Sequence, residues 1–267
     1  MDLGLAGKAC VVTGASRGIG RDVTERLCAE GASVLLVARG AQDLEAARAA
    51  CTEAGGKAEA LALDITDADA GDRILAECEQ RFGGLDVLVN NAGQATWRNA
   101  ITDVSEADWQ AAWDLNVMAP MRLMRAAVPG MRRRGWGRVV NVSSTSGKRP
   151  SAHLPEYSVA KAAELSLSRL YADEYAADGV LVNAVCPGGT TSDMWLEQGG
   201  LLDQLRESDD LASRDEALTA AVGGRPIRRM AEPGEIGAVI VFLCSEQASY
   251  VSGVAWGVDG GTVQVII

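Results

Sequence analysis

The apolar run Ala9–Thr13 enters a turn with glycines at 14, 18 and 20, and the turn opens directly into a helical stretch. No other feature constrains the fold as tightly. Glycines let the turn's backbone come close to whatever it faces, and the following helix points its free N–H groups at the same spot. The alternation of strand and helix then repeats down the chain. Strands are predicted at 9–13, 33–38, 58–63, 86–90, 137–142, 180–185 and 254–258. Helices are predicted at 19–30, from the second strand to residue 54, and at 67–82, 106–133, 156–177 and 233–244, with a leucine-bearing helical excursion at 193–222. Continuous apolar strands separated by helices belong to a parallel sheet covered on both faces. No repeat, linker or low-complexity segment interrupts the pattern. The chain therefore reads as one doubly wound α/β domain over 1–267, with the excursion as a lid.

Composition narrows the partners. The net charge of −11 argues against nucleic acid and anionic membrane surfaces. Cysteines at 10, 28, 51, 78, 186 and 244 form no C-x-x-C pair, which fits buried thiols in a reducing cytoplasm and suggests no metal site. No leader peptide is read at Met1-Asp2-Leu3-Gly4, and no uncharged apolar run reaches the length of a membrane span.

The chemistry concentrates on helix 156–177. Tyr157 and Lys161 stand four residues apart and so share a helical face, with Ser144 thirteen residues before Tyr157. An ammonium beside a phenol favours the phenolate and is expected to draw the Tyr157 pKa down, which suits proton exchange with a carbonyl or an alcohol. The chain has four Lys against twenty-one Arg, so a Lys here indicates a compact head that Arg cannot replace. The competing reading is an ordinary pair on a solvated face. Asn90-Asn91-Ala92-Gly93 follows the fourth strand at the sheet edge where such folds bind ligands. Asn116, inside the helical stretch 106–133, either bends that helix or joins a proton path.

In this order the motifs resemble the short-chain dehydrogenase/reductase family. They are the turn Thr13-Gly14-Ala15-Ser16-Arg17-Gly18-Ile19-Gly20, Asp64, Asn90–Gly93, Asn116, Ser144, Tyr157, Lys161, Pro187-Gly188 and Asp259-Gly260-Gly261. The resemblance implies a seven-stranded Rossmann sheet, a homotetramer or homodimer, and reversible hydride transfer between a nicotinamide cofactor and a carbonyl or alcohol. It implies Tyr157 as general acid, Lys161 as its modulator and a ribose ligand, Ser144 on the substrate oxygen, and Asn116 on a water that extends the proton relay. It places Gly14, Ser16, Gly18, Ile19 and Gly20 on the pyrophosphate and ribose, and Asp64 and Ile65 beside the adenine. Asn91, Ala92 and Gly93 fall under the adenosine and inner ribose, and Pro187, Gly188 and Thr190 along the nicotinamide. Ser192 stands where the family often has Thr and is expected to keep the carboxamide contact. The apolar ending at 263–267 suggests a subunit contact.

The second strand ends Val37-Ala38-Arg39, without the acid that accepts from the ribose 2′-hydroxyl of NAD. Arg39 and Arg17 are instead expected to flank a 2′-phosphate, which favours NADP(H) and leaves NAD(H) possible. The alternative is that both are solvated loop residues. Substrate contacts are sought in Trp97, Met194 and Trp195, as an apolar lid, as packing or as a subunit contact, and in His153, the one histidine, as a solvated residue, a substrate contact or a catalytic group. The leucines of the excursion read as packing. Three functions follow: an NADP-dependent carbonyl reductase or alcohol dehydrogenase, a 3-oxoacyl reductase acting on a carrier protein or coenzyme A thioester, or an NADP(H)-sensing protein without turnover. The acidic run at 173–178 on the Tyr helix counts against the second.

Overall fold

The computed structural model describes residues 2–264. Of the tail 263–267 expected to make a subunit contact, residues 265–267 lie outside the described residues. β1 (Ala9–Thr13) and α1 (Gly18–Ala29) open the chain, followed by β2 (Ser33–Ala38), α2 (Ala41–Glu53), β3 (Lys57–Ala62), α3 (Ala70–Phe82) and β4 (Val87–Asn90). The stretch expected to be one helix over 106–133 is three segments: α4 (Glu106–Trp113), a π-turn at Asp114–Met118, and α5 (Ala119–Arg134). Asn116 sits inside the π-turn, and its Nδ2 donates to the Ala112 carbonyl at 2.9 Å, taking an acceptor of the helical ladder. β5 (Gly137–Val142), α6 (Thr145–Lys148), α7 (Pro155–Tyr175) and β6 (Val180–Pro187) follow. The excursion resolves into three short helices, α8 (Asp193–Leu196), α9 (Leu201–Ser208) and α10 (Arg214–Gly223). α11 (Pro233–Cys244) and β7 (Ala255–Val258) close the chain.

The strands form one parallel seven-stranded sheet in the order β3-β2-β1-β4-β5-β6-β7. The order reverses between β1 and β4, so a crevice opens there at the carboxyl edge, where ligands of such sheets bind. β1, β4, β5 and β6 are buried along their whole length. That is why their sequences are near-continuous apolar runs, broken only by buried polar residues such as Arg138, Asn141 and Asn183, rather than alternating ones. One core cluster packs α1, α2 and α11 on one face, through residues such as Val23, Leu44 and Ile240. The other packs α3, α5 and α7 on the opposite face, through Ile74, Met124 and Ala172. No helix among the described residues is long and apolar enough to cross a membrane.

Candidate active site

One cleft of about 930 Å³ runs along the carboxyl edge of the sheet, a size that accommodates a dinucleotide end to end with room beside it. Its first wall is the turn after β1. Gly14 has φ +64°, in the left-handed region that favours glycine. A Cβ on Gly20 would overlap the Gly14 carbonyl and Asn91 Nδ2, so the helix begins hard against the turn. Thr13 Oγ1 accepts from the N–H groups of Asn91 (3.0 Å) and Ala92 (3.1 Å), and Asn91 Nδ2 donates to the carbonyls of Thr13 (2.9 Å) and Gly14 (3.3 Å). Asn91 therefore stitches the turn after β4 to the glycine turn. Ser16, Arg17, Gly18, Ile19, Ala92 and Gly93 line the cleft with them.

At one end lie Arg39, Asp64 and Ile65. Thr66 donates its N–H and hydroxyl to Asp64 Oδ1 at 2.9 and 2.7 Å and holds that carboxyl below its ordinary range, with Arg39 adding to the effect. Arg39 is exposed and has no ion-pair partner among the described residues. Arg17 differs from expectation. Its guanidinium turns onto α8, pairing with Asp193 at 3.3 Å and Glu197 at 3.0 Å, and so faces the lid rather than joining Arg39. Ser192 also lies over the turn, its Cβ 3.5 Å from where a Gly18 Cβ would stand.

At the other end Ser144, Tyr157, Lys161, Pro187, Gly188 and Thr190 converge. Ser144 caps α6 by accepting the Ser146 N–H at 3.1 Å, and its hydroxyl lies against the Tyr157 phenol. Lys161 Nζ is 5.8 Å from the centre of the Tyr157 ring. It donates to the Val142 carbonyl at 2.8 Å and to Glu164 Oε2 at 3.0 Å. Burial pushes the phenol above its ordinary value, and Lys161 and then Ser144 pull it back without cancelling the rise. The expected downward shift is thus corrected: the phenol lies above its ordinary value. Burial, the largest single influence, would lower Lys161, but Glu164 and Tyr157 together outweigh it and favour the charged ammonium. Asn116 is fully buried with Oδ1 unpartnered, beside Gly93 and Lys161. Asp259, of the Asp259-Gly260-Gly261 motif, accepts the N–H groups of Gly261 and Val263 and packs behind Gly188, bracing that wall.

Trp97, Met194 and Trp195 line the cleft near Tyr157, in an apolar cluster with Leu154 and Leu201. Leu201, expected to be packing, is part of the wall. His153 is not on the wall. It stacks behind Trp97 with ring centres 4.4 Å apart, and its Nδ1 is 3.1 Å from the Arg98 carbonyl. An imidazole held flat against an indole and a backbone oxygen braces Trp97 instead of reaching a substrate. Two residues escaped sequence reasoning. Glu164 keeps helical spacing from Lys161, but such a pair reads as a surface pair until burial is known. Arg225 lines the cleft from far along the chain, its guanidinium over Gly189 and near Trp195, with no carboxylate within ion-pair distance among the described residues.

Comparison with known proteins gives a consistent result. The pattern of the family described as short chain dehydrogenase matches residues 8–199. The 3-oxoacyl-[acyl-carrier-protein] reductase FabG of Vibrio cholerae is 33% identical over 98% of this chain and 100% of its own. The D-beta-hydroxybutyrate dehydrogenase of Cupriavidus necator is 33% identical over 97% of this chain and 99% of its own. The structure of L-sorbose reductase from Gluconobacter frateurii, complexed with NADPH and L-sorbose, superposes with a TM-score of 0.92 at 36% identity, covering 100% of both chains.

Proposed function

The chain belongs to the short-chain dehydrogenase/reductase family, and from that premise we infer that it is an NADP-dependent reductase of a small carbonyl compound, reversible to the secondary alcohol. The observation that carries the reading is the convergence of Ser144, Tyr157 and Lys161 in the same cleft as the glycine turn. The residues fit a phosphorylated dinucleotide. A Cβ would fill the Gly14–Gly20 cradle, Arg39 is an unpaired cation at one end, and Asn116 Oδ1 is an orphaned acceptor at the other. Gly14, Ser16, Gly18, Ile19 and Gly20 would hold the pyrophosphate, Arg39 the 2′-phosphate, and Lys161 the inner ribose. Arg17 reaches the phosphate by leaving exposed pairs that are worth little. Bound NADPH supplies the hydride.

The protein's own groups handle the proton. Tyr157 Oη donates it to the substrate oxygen, and the Ser144 hydroxyl hydrogen-bonds that oxygen as charge develops there. Lys161 stabilises the phenolate left behind, and the Asn116 turn holds the water through which Lys161 is resupplied. Trp97, Met194, Trp195 and Leu201 exclude other water from the reacting carbonyl. Arg225 adds a positive charge to the cleft near Trp195, which favours substrates with an oxygen-rich or anionic group near the carbonyl over plain ketones.

A 3-oxoacyl thioester is the second reading, favoured by the Vibrio cholerae relative. The acidic run counts against it less than its sequence suggests. Asp173 and Asp178 are paired with Arg169 and Arg132, and a helix rising about 1.5 Å per residue puts them more than 20 Å from Tyr157. A homotetramer or homodimer in a reducing cytoplasm completes the proposal, supported by exposed Val159 and Leu170 on α7 and by six free, buried cysteines. The test is NADPH and NADH consumption with ketoses, keto acids, plain ketones and acetoacetyl thioesters. Turnover only with thioesters selects the second reading. Tight NADPH binding without turnover of any carbonyl selects a cofactor sensor and overturns both.

A further inference from the structure

Lys161 and Glu164 lie one helical turn apart on α7, and neither reaches solvent: their side chains are 2% and 1% exposed. Lys161 Nζ has three N–H groups. Val142 O and Glu164 Oε2 take two of them. The remaining side of Nζ faces Gly93, where a Cβ would lie 3.6 Å from Nζ and 3.2 Å from the orphaned Asn116 Oδ1. Glu164 is itself held in place. The Ser143 hydroxyl beside it donates to the Lys161 carbonyl at 3.0 Å, and the Glu164 carbonyl accepts the Ser168 hydroxyl at 2.7 Å. Burial pushes the Glu164 carboxyl above its ordinary value, and Lys161 pulls it back towards the charged form. Ser168 in turn accepts from Asn141 Nδ2 at 2.8 Å, and Asn141 Oδ1 accepts from Asn90 at 2.7 Å. A buried polar chain thus runs from the middle of the sheet to the helix beneath the reacting phenol.

Stability alone gives no reason for this arrangement, since a well-packed apolar residue commonly serves as well as a buried ion pair. The arrangement also opposes what Lys161 does for Tyr157, because an anion on the next turn offsets the ammonium's field. We propose that Glu164 is a positioning residue that holds Lys161 between Tyr157 and Asn116 and offsets its charge, so that Tyr157 keeps its proton at neutral pH and the site is set for carbonyl reduction rather than alcohol oxidation. The proposal rests on Tyr157 being the general acid.

The groups that face the phenol are few. α7 supplies Lys161 and Glu164, the end of β5 supplies the neutral Ser143 and Ser144, the π-turn supplies the neutral Asn116, and β6 supplies Cys186 with Lys148 of α6 near it. Burial pushes the Cys186 thiol up to about 11, so it is uncharged near neutrality. The opposed charges that remain are Lys161 and Glu164. Burial and Glu164 both favour the protonated phenol, against Lys161 and Ser144.

Two variants test this. Glu164→Gln keeps the shape and an acceptor for Nζ but removes the charge. Glu164→Leu fills the site with apolar volume. The first readout needs no substrate: the tyrosinate absorbance of the cofactor-free protein against pH, taken as the difference between each variant and the same variant carrying Tyr157→Phe. In Glu164→Gln, where an acceptor still holds Nζ, the Tyr157 titration should move to lower pH by about one unit or more, as a less compensated neighbouring cation requires. In Glu164→Leu, which leaves the buried ammonium without its partner and so favours its neutral form, it should move less. The pH profile of kcat/KM for alcohol oxidation should move with it in Glu164→Gln. A phenol titration that does not move while the melting temperature falls would show that Glu164 only packs, and would overturn the inference. Failure of both variants to fold would do the same. If the parent turns over no carbonyl, the proposed function falls, yet the absorbance titration still decides the role of Glu164.

Discussion

The two ends of the cleft use charge in opposite ways. At the Arg39 end the cations are exposed. Arg17, with its side chain 57% exposed, meets carboxylates that are 50% and 60% exposed, and Arg39 meets none among the described residues. At the Tyr157 end the ion pair is almost wholly out of water, 2% and 1% exposed, and hydrogen-bonded on several sides. Exposed pairs contribute about 0–1 kcal/mol and can exchange partners. Removing one member of a buried pair costs about 3–5 kcal/mol, because the other is left desolvated. The difference teaches that one end recognises by adjustable attraction and the other reacts by fixed, coupled positions. Substitutions at the two ends should differ accordingly in size and in additivity.

The largest effect is expected at Lys161. Lys161→Ala should lower kcat by about 10²–10⁴, weaken NADPH binding and lower the melting temperature, because it removes a partner from Tyr157 and strands Glu164. Combining it with Glu164→Leu should restore the melting temperature but not turnover. Simple additivity of the two changes in thermal melts would break the claim that this end is coupled.

Next comes the wall between the ends. Gly20→Ala puts a Cβ into the Gly14 carbonyl, which must move. Such overpacking costs about 1–3 kcal/mol, so titration should show NADPH and NADH affinity both falling by roughly tenfold to a hundredfold. Loss of one cofactor alone would mean that the turn does not hold the part they share.

Arg39→Asp should change preference rather than activity. It removes a cation from the 2′-phosphate and adds an anion, and one charge-assisted contact is worth about 1.5–3 kcal/mol, or roughly tenfold or more in the NADPH-to-NADH ratio of kcat/KM. If Arg39 only stacks on the adenine, both cofactors weaken together.

The smallest effect is expected at the lid. Asp193→Ala with Glu197→Ala frees Arg17, and exposed pairs of this kind are commonly worth about 0.5 kcal/mol each. NADPH affinity should rise by at most a few fold while NADH affinity does not, if the released guanidinium turns to the phosphate. Equal changes for both cofactors would assign Arg17 to the lid alone.

The sequence exposed the parts of this cleft that depend on local spacing. The glycine turn is legible because strand, turn and helix are contiguous, and Tyr157 and Lys161 because four residues make one helical turn. The central strands are legible because burial on both faces makes them near-continuous apolar runs, as in β1 and β4. What stayed hidden is set by distance or depth. Arg17 meets partners 176 and 180 residues away, which no local pattern encodes. Glu164 looks like any acid one turn from a lysine until its burial is known, and it is the phenol's own burial, with Glu164 adding to it, that reverses the shift expected for Tyr157. His153 lies four residues before Tyr157, yet the fold places Trp97 between it and the cleft. The break of helix 106–133 at Asn116 depends on a side-chain bond to the Ala112 carbonyl that competes with the helical ladder.

The most direct test is Tyr157→Phe, which removes one hydroxyl and little volume. Turnover should be measured with the best carbonyl substrate, and NADPH binding by fluorescence titration of the same preparation. The account predicts that kcat falls by about 10²–10⁴ while NADPH affinity is kept. A variant that retains more than about a tenth of the parent's kcat would contradict Tyr157 as the proton donor, since positioned acid catalysis is worth far more than that.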